Sequence, residues 1–464
     1  MKEKKSVGAK IGDFFSWLGK DLADIGHTFA EGDFRTRISF LIMGFGQLLR
    51  GQIVRGIAML AAEIALLYYI FGFGAGYLKD FLTLGTKGRG FNPDGTVSYG
   101  DNSFFILLYG ILTIIAILML LLVWRINVKQ NEEAQRLLAA GKKLPSNKKD
   151  LYSLLDENFD KTLLALPVIG IFVFTVLPII FMICVAFTNY DYNHQPPSQL
   201  FTWVGLENFR NILSVGGTGY GKTFFSVLGW TLVWAFFATF LNYFLGMAVA
   251  ILINQKGIKF KKLWRTILVI TIAVPQFVSL LYVSKMFAAD GLVNAYLLKW
   301  GFIERAIPFW TNKTYARILI ILINLWIGIP YMMLIATGLL MNIPEDLYES
   351  AKIDGANPVQ MFFSITLPYM LFVTGPFLLT QFIGNLNNFN VIFLLTQGQP
   401  QSMKLAGGAG YTDLLVTWLY KLTVTDSDYK MAAVIGIMVF LVTAVISLVV
   451  YNVLPSVKDE EGFQ

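Results

Sequence analysis

The chain has 464 residues, of which 55% are hydrophobic and 14% charged, with a mean hydropathy of +0.59. Two or three soluble domains would fit that length, but the composition is too apolar for them and matches a polytopic membrane protein. The net charge of +7 does not point to nucleic acid, because the basic excess sits in short loops and a tail on one side of the expected membrane.

In chain order, the first residues are lysine-rich, but no short apolar stretch with a small-residue cleavage site follows. No cleavable signal peptide is expected. Residues 38–49 are apolar yet too few to span; Gly44 and Gly46 interrupt them and Arg50 and Arg55 follow. They read as an interfacial or re-entrant helix, or as the start of the first span. A hydrocarbon core of about 30 Å needs roughly 20 apolar residues per helix. Eight stretches qualify, near 57–78, 104–124, 162–187, 224–253, 266–287, 316–341, 369–396 and 431–454. Glu63 lies in the first span, about two turns from its inner end, where a structural partner or a snorkelling role is expected. Residues 127–160 are charged and helix-forming and read as a solvated connector open to anionic lipid. Cys184, the single cysteine, sits in an apolar run as a small filler and excludes an intramolecular disulfide. His27 and His194 have no Cys or His at metal-ligand spacing and read as surface residues; no metal site and no catalytic nucleophile–base pair stands out.

Lys and Arg set the orientation. With both termini inside, segments 1–56, 125–161, 254–265, 342–368 and 455–464 carry 24 of the 37 basic residues. The sharpest contrast is Lys256, Lys259, Lys261, Lys262 and Arg265 against the loop 188–223, which has only Arg210 and Lys222. The outer loops 80–103 and 190–222 are rich in Gly, Asn, Pro and Tyr and read as turns. One of them contains Gly216-Gly217-Thr218-Gly219-Tyr220-Gly221-Lys222-Thr223, which satisfies the phosphate-loop pattern literally. A working phosphate loop needs a buried strand before it and a helix N-terminus cradling phosphates after it. Residues 208–215 make a poor core strand and the next helix is a span, so a flexible outer loop is expected.

Later spans carry polar and helix-breaking residues. Span five has Pro275, Gln276 and Ser279; span six has Trp326, Gly328, Pro330 and Tyr331; span seven has Gln381, Asn385, Asn387, Asn388 and Asn390. A kink at Gly328–Pro330 would free backbone groups that neighbours or a water-filled cavity must satisfy. Asn385 and Asn388, at i and i+3, share a helical face with Gln381, flanked by Phe382 and Phe389. Amides and aromatic rings suit a sugar; interhelical hydrogen bonding explains the amides equally well. A cavity shared by the three spans is expected. Lys285 and Arg317, near the outer ends of spans five and six, are expected to snorkel.

Between spans six and seven, residues 345–365 read as two short helices around a tight turn. Asn342 is expected to cap the first, with Pro344 near its first turn and Glu345, Asp346 and Glu349 toward its positive end. Gly355 stops it, and Asn357 and Pro358 restart the helix. Glu349-Ser350-Ala351, with Asp354, Gly355 and Ala356, and then Ile365-Thr366-Leu367-Pro368, resemble at full spacing the E-A-A signature of ABC importer permeases, with Ser350 the one small-for-small departure. That resemblance implies docking of this hairpin into a groove on a cytoplasmic ATPase. From about residue 163 onward the chain looks like the F-type permease subunit of maltose and maltodextrin importers. Gly328-Ile329-Pro330-Tyr331, Asn385-Leu386-Asn387-Asn388-Phe389 and Gly410-Tyr411-Thr412-Asp413-Leu414-Leu415 carry it.

The resemblance implies an all-α membrane protein of eight transmembrane helices. A six-helix type I importer core, residues 162–454 with the coupling loop 342–368, follows an N-terminal inner segment (1–56), two extra spans (57–124) and a connector (125–161), and precedes a tail (455–464). It implies sugar contact at Gly328, Tyr331, Asn385 and Asn388, with Gly384 standing where an aromatic is expected. The partners implied are a second permease, two cytoplasmic ATPases, an external sugar-binding protein and an oligosaccharide, in a bacterial cytoplasmic membrane. ATP and magnesium would sit on the ATPases, and this subunit would hold no cofactor and catalyse nothing. The outer loop after span three, about 35 residues, has no room for the folded domain of the best-known relatives and suggests a Gram-positive type. A membrane glycan-modifying enzyme would need clustered acids or histidines at the interface, and a sugar symporter a coupling acid in the middle spans. Neither is present in the sequence.

Overall fold

A computed structural model describes residues 7–91, 93–153, 155–214, 219–255 and 257–454. Lys256, Gly216, Gly217, Thr218 and the tail 455–464 lie outside the described residues. Among the described residues, seven helices are long and apolar enough to cross a membrane: Ile53–Asp80, Ser103–Ala139, Phe159–Val185, Tyr220–Asn254, Lys313–Leu340, Pro358–Leu395 and Tyr429–Val453. An eighth span is the pair Lys261–Ala273 and Gln276–Met286, bent by 91°. The bend falls at Val274 and Pro275. A residue before proline is pushed toward extended backbone, and Val274 sits at φ −81°, ψ 128°. The sequence reading put the interruption in span six, but Lys313–Leu340 runs on through Pro330. Two other prolines are absorbed differently. Pro178 and Pro368 each follow a five-residue π turn, Phe172–Val176 and Phe362–Thr366. The widened turn relieves the clash between a proline ring and the carbonyl four residues back.

The chain divides by contacts into two units. The first comprises Met1–Cys184 with Asn193–Trp203, and the second Val185–Tyr192 with the chain from Val204 onward. The sequence reading drew its boundary earlier, at residue 161, because hydropathy cannot tell which neighbours a span keeps. Span three is little covered: 6% of its most apolar stretch is buried.

In the first unit, residues 38–49 do not form one helix. Phe34–Ile38 and Phe45–Leu49 are separated by Gly44 at φ +82°, where a Cβ would stand 2.1 Å from Gly56 O. Glu63 takes the structural role expected of it, its Oε2 accepting from Met43 N at 2.8 Å. The solvated connector is corrected in its first part only, the described residues among 140–160 being mostly exposed. The second span continues as helix to Ala139, and Asn127 and Asn131, one helical turn apart, are fully buried. Asn127 Oδ1 accepts from Gly44 N at 3.0 Å, its Nδ2 donates to Ser39 O at 2.8 Å, and Arg50 donates to Asn131 Oδ1 at 2.7 Å. This face is a packed polar core that clamps the N-terminal segment, with Arg125 bridging Asp21 and Asp24 of the helix Val7–Glu31. Charge content alone did not distinguish it from a solvated face. Loop 80–103 carries one short strand pair, Gly90–Phe91 with Val97–Ser98.

In the second unit, spans four and six pack backbone to backbone. A Cβ on Gly246 would stand 2.5 Å from Met332 Cβ. One buried cluster includes Trp234, Ile320, Ile392 and Leu414, and another Tyr243, Met247, Met333 and Met370. Arg317 does not snorkel. Its Nε donates to Tyr411 O at 2.9 Å and its guanidinium lies 4.3 Å from the Trp230 ring centroid. The phosphate-loop resemblance fails on structure: the preceding element is the helix Glu207–Leu213, not a strand.

Candidate functional site

Two features of the second unit could serve transport. The first is a cavity of about 410 Å³ among spans four to seven, within the range of about 300–1,000 Å³ typical of small-molecule sites. Its wall includes Pro275, Gln276 and Ser279 at the break of span five, Trp326, Gly328 and Tyr331 of span six, and Gln381 and Asn385 of span seven. The three spans thus share one cavity.

Span seven reaches the cavity in an unexpected way. The helix Leu367–Leu386 ends there, and Asn388 is the extended N-cap of a new helix, Phe389–Leu395. The i, i+3 relation of Asn385 and Asn388 assumed an unbroken helix and does not hold. Asn388 Oδ1 accepts from Val391 N at 3.3 Å, a capping bond, while its Nδ2 donates to Asn385 Oδ1 at 3.3 Å. Asn388 lies outside the cavity lining and supports Asn385 from behind. Asn385 itself lines the cavity, and its Nδ2 donates to Thr239 Oγ1 of span four at 3.0 Å. Its backbone carbonyl accepts from Asn388 N at 3.3 Å in the turn that closes the helix and from Trp234 Nε1 at 3.1 Å. Phe389 stacks on Phe393 and Phe382 packs beside Phe240, so the rings flanking the amides do not face the cavity. Trp326 and Tyr331 are the aromatic side chains on its wall, each about half exposed. Gly384 faces open space, with nothing within 4 Å of a Cβ placed there.

Asn242 and Asn324 also line the cavity and escaped the sequence reading. Asn324 is four residues before Gly328 and seven before Tyr331, one helical face, which is the signal that could have found it. Asn242 is 4% exposed; its Nδ2 donates to Ala238 O at 2.7 Å and its Oδ1 has no partner. Its carboxamide fills the space beside Gly328, where a Cβ would stand 2.4–2.6 Å from three of its atoms.

The second feature is the hairpin after span six. Its first helix is Glu345–Ile353, with Pro344 rather than Asn342 at the N-cap and no side-chain cap bond. Asn342 belongs to the turn that closes span six, its N–H bonding Leu339 O. Gly355, at φ +81°, ends the helix: Gly355 N donates to Lys352 O at 3.1 Å and Ala356 N to Ala351 O at 2.9 Å. Asn357 and Gln360 form a reciprocal capping box that starts the next helix at Pro358. Tyr348 Oη and Thr366 Oγ1, 2.8 Å apart, tie the hairpin to the foot of span seven. Glu349, Ser350, Asp354 and Gly355 are exposed, Ala351 and Ala356 partly buried, and Ile353 is 86% exposed. Among the described residues no group of three or more His, Cys, Asp or Glu could hold a metal ion.

A family model described as binding-protein-dependent transport system inner membrane component matches residues 242–459. The maltodextrin transport system permease protein MdxF of Bacillus subtilis is 34% identical over 448 residues, 94% of this chain and 99% of MdxF. The galactooligosaccharides transport system permease protein GanP of the same organism is 36% identical, covering 90% of this chain and 97% of GanP. The maltose/maltodextrin permease MalF of Klebsiella aerogenes matches over 251 residues at 37% identity, about half of each chain. In fold, the chain is similar to a bacterial ABC transporter involved in import of the acidic polysaccharide alginate, with a TM-score of 0.52 at 22% identity over 65% of this chain and 97% of that one. Eight spans with one broken, a polar cavity among them, and near full-length identity to such permeases make this chain a multi-pass membrane member of the binding-protein-dependent transport system inner-membrane component family.

Proposed function

We propose that this chain is the sugar-conducting, non-catalytic permease subunit of an ATP-driven importer for maltodextrins. Its cavity of amides and half-exposed aromatics carries the reading. Gln381 and Asn385 exchange hydrogen bonds with hydroxyls, while Trp326 and Tyr331 cover apolar sugar faces. The exposed hairpin, built on Gly355 and the Asn357–Gln360 box, is the handle for a cytoplasmic ATPase that carries ATP and magnesium. Both termini are inside by the Lys and Arg distribution, and the little-covered third span supports a second permease as neighbour. Closure of the ATPases would push on residues 349–356 and rock the cavity helices. An external binding protein delivers the sugar.

The similarity to GanP favours one second reading, the same machine carrying galactooligosaccharides. Purification of the tagged chain from its own cells, followed by uptake of labelled maltotriose and galactotriose in vesicles, tests both. An ATPase and a second permease should co-purify, with maltotriose preferred. Absence of any ATPase subunit would overturn the importer reading.

A further inference from the structure

Span two keeps a lipid-facing stripe up to the end of its apolar part. From Ser103 to Trp124 it carries no charge, and Leu118, Leu121 and Leu122 are each more than half exposed. Arg125 is the first charged residue. It stands three, four and seven residues after those leucines, on the same face of the helix. A charge at that point marks where hydrocarbon gives way to the polar interface. Trp124 beside it is a residue type that favours this level, and its Nε1 donates to Phe40 O at 2.9 Å.

The helix Val7–Glu31 is moored here. Arg125 Nη2 donates to Asp21 at 2.7 Å and to Asp24 at 2.8 Å, and its Nε donates to Asp21 at 3.0 Å. The far end of the helix is fixed as well. Arg37 donates to Phe29 O at 3.0 Å and to Ala30 O at 2.6 Å, and Gln135 donates to Glu31 O at 3.1 Å. The Phe29 ring packs edge-on against Phe40 at 5.2 Å between centroids, and Phe40 against Trp124 at 5.7 Å. A ladder of rings thus joins the helix to the boundary level of span two.

Three faces of the helix differ. Asp21, Asp24 and buried Thr28 form the moored face. Leu22, Ile25 and Phe29, at i, i+3 and i+7, form an apolar face on which Leu22 is 61% and Phe29 52% exposed. Lys20 and His27, both exposed, lie opposite that apolar face. Leu41, next to Phe40 in the following turn, is 78% exposed. These exposed apolar side chains gather at the level where the lipid-facing stripe of span two ends, and they continue it.

We propose that the helix Val7–Glu31 is an interfacial helix whose Leu22–Phe29 face, with Leu41, lies against the acyl chains of the leaflet where the apolar part of span two ends. Lys20 and His27 then face water, the division expected of a helix lying in the plane of the interface. Asp21 and Asp24 neutralise Arg125 at a depth where a bare charge is costly. Lipid on one side and the Asn127–Asn131 core on the other hold the N-terminal segment, so the first unit grips the bilayer through a surface helix as well as through its spans. This follows from the membrane assignment of span two alone and needs neither a sugar nor an ATPase.

The test uses Leu22→Cys, Phe29→Cys, Lys20→Cys and His27→Cys, each in a Cys184→Ala background, with Leu122→Cys as the lipid-exposed reference. The protein is purified with whatever subunits accompany it, spin-labelled, and reconstituted in nanodiscs of phosphatidylcholine and phosphatidylglycerol. Collision of each label with oxygen, which partitions into the bilayer, is compared with collision with a water-soluble nickel chelate. Oxygen should dominate several-fold at 22 and 29, as at 122, and the ratio should reverse at 20 and 27. A chelate-dominated label at 22 and 29 overturns the proposal, because the helix then stands in water. Low collision with both reagents there overturns it as well, because a protein surface then covers the face. Phe29→Cys loses the packing on Phe40, so Leu22→Cys decides if the two disagree.

Discussion

Gly328 offers the most informative perturbation of the cavity. Resemblance gives it to the sugar, but in the fold its missing side chain makes room for Asn242. In Gly328→Ala the new Cβ would stand 2.4–2.6 Å from the Asn242 carboxamide, against an ordinary contact of 3.4–4 Å, an overlap of about 1 Å. Asn242 cannot swing away freely, because it is 4% exposed and its Nδ2 is bonded to Ala238 O at 2.7 Å. Overpacking of this kind costs about 1–3 kcal/mol, and the helix preference for alanine returns at most about 1 kcal/mol. A net loss of up to about 3 kcal/mol follows from these two. Asn242→Ala removes the wedge together with its unpartnered Oδ1, so it should be mild alone and should rescue Gly328→Ala. Melting of the purified complex in detergent, followed by size-exclusion chromatography, reads assembly; vesicle uptake reads function. The single variant should melt lower and the double variant should recover. Wild-type melting of Gly328→Ala would refute the wedge. Recovered melting without recovered uptake would return Gly328 to the sugar.

The hairpin and the amide pair give two further tests. Gly355→Pro forces φ from +81° to about −65° and deletes the N–H that donates to Lys352 O; with Glu349→Lys it should abolish uptake while membrane insertion persists, and normal uptake in either variant would remove the coupling role. Asn385→Leu strips the bond to Thr239 and the acceptor for Asn388. If Asn385 only pins helices, assembly should weaken by roughly 0.6 kcal/mol with uptake kept. If it meets sugar, the apparent KM should rise by the equivalent of about 1–3 kcal/mol with melting and basal ATPase activity unchanged.

Much of this protein is legible in the order of its residues because the signals are local. A bilayer demands about 20 apolar residues per helix, and a run of that length needs no distant partner to be felt. Hairpin punctuation follows the same logic: Gly355 ends a helix by its own backbone freedom, and Asn357 with Gln360 starts the next across three residues. Periodicity failed where it was extended past a break, as between Asn385 and Asn388. It also could not say which neighbour an amide chooses.

Those choices belong to tertiary structure. Whether Asn127 is solvated or clamps Ser39 and Gly44 depends on a segment 83–88 residues away. That Gly328 must be glycine depends on Asn242, and that Asp413 is tolerated in a buried site depends on Lys421, Thr417 and Gly398. The sequence by itself determined the spans, the basic bias of one side and the shape of the hairpin, because hydropathy, charge and capping act within a few residues. Only the fold decided which polar groups face the cavity and which hold it shut, because a buried hydrogen bond is worth having only against a particular partner at a particular distance.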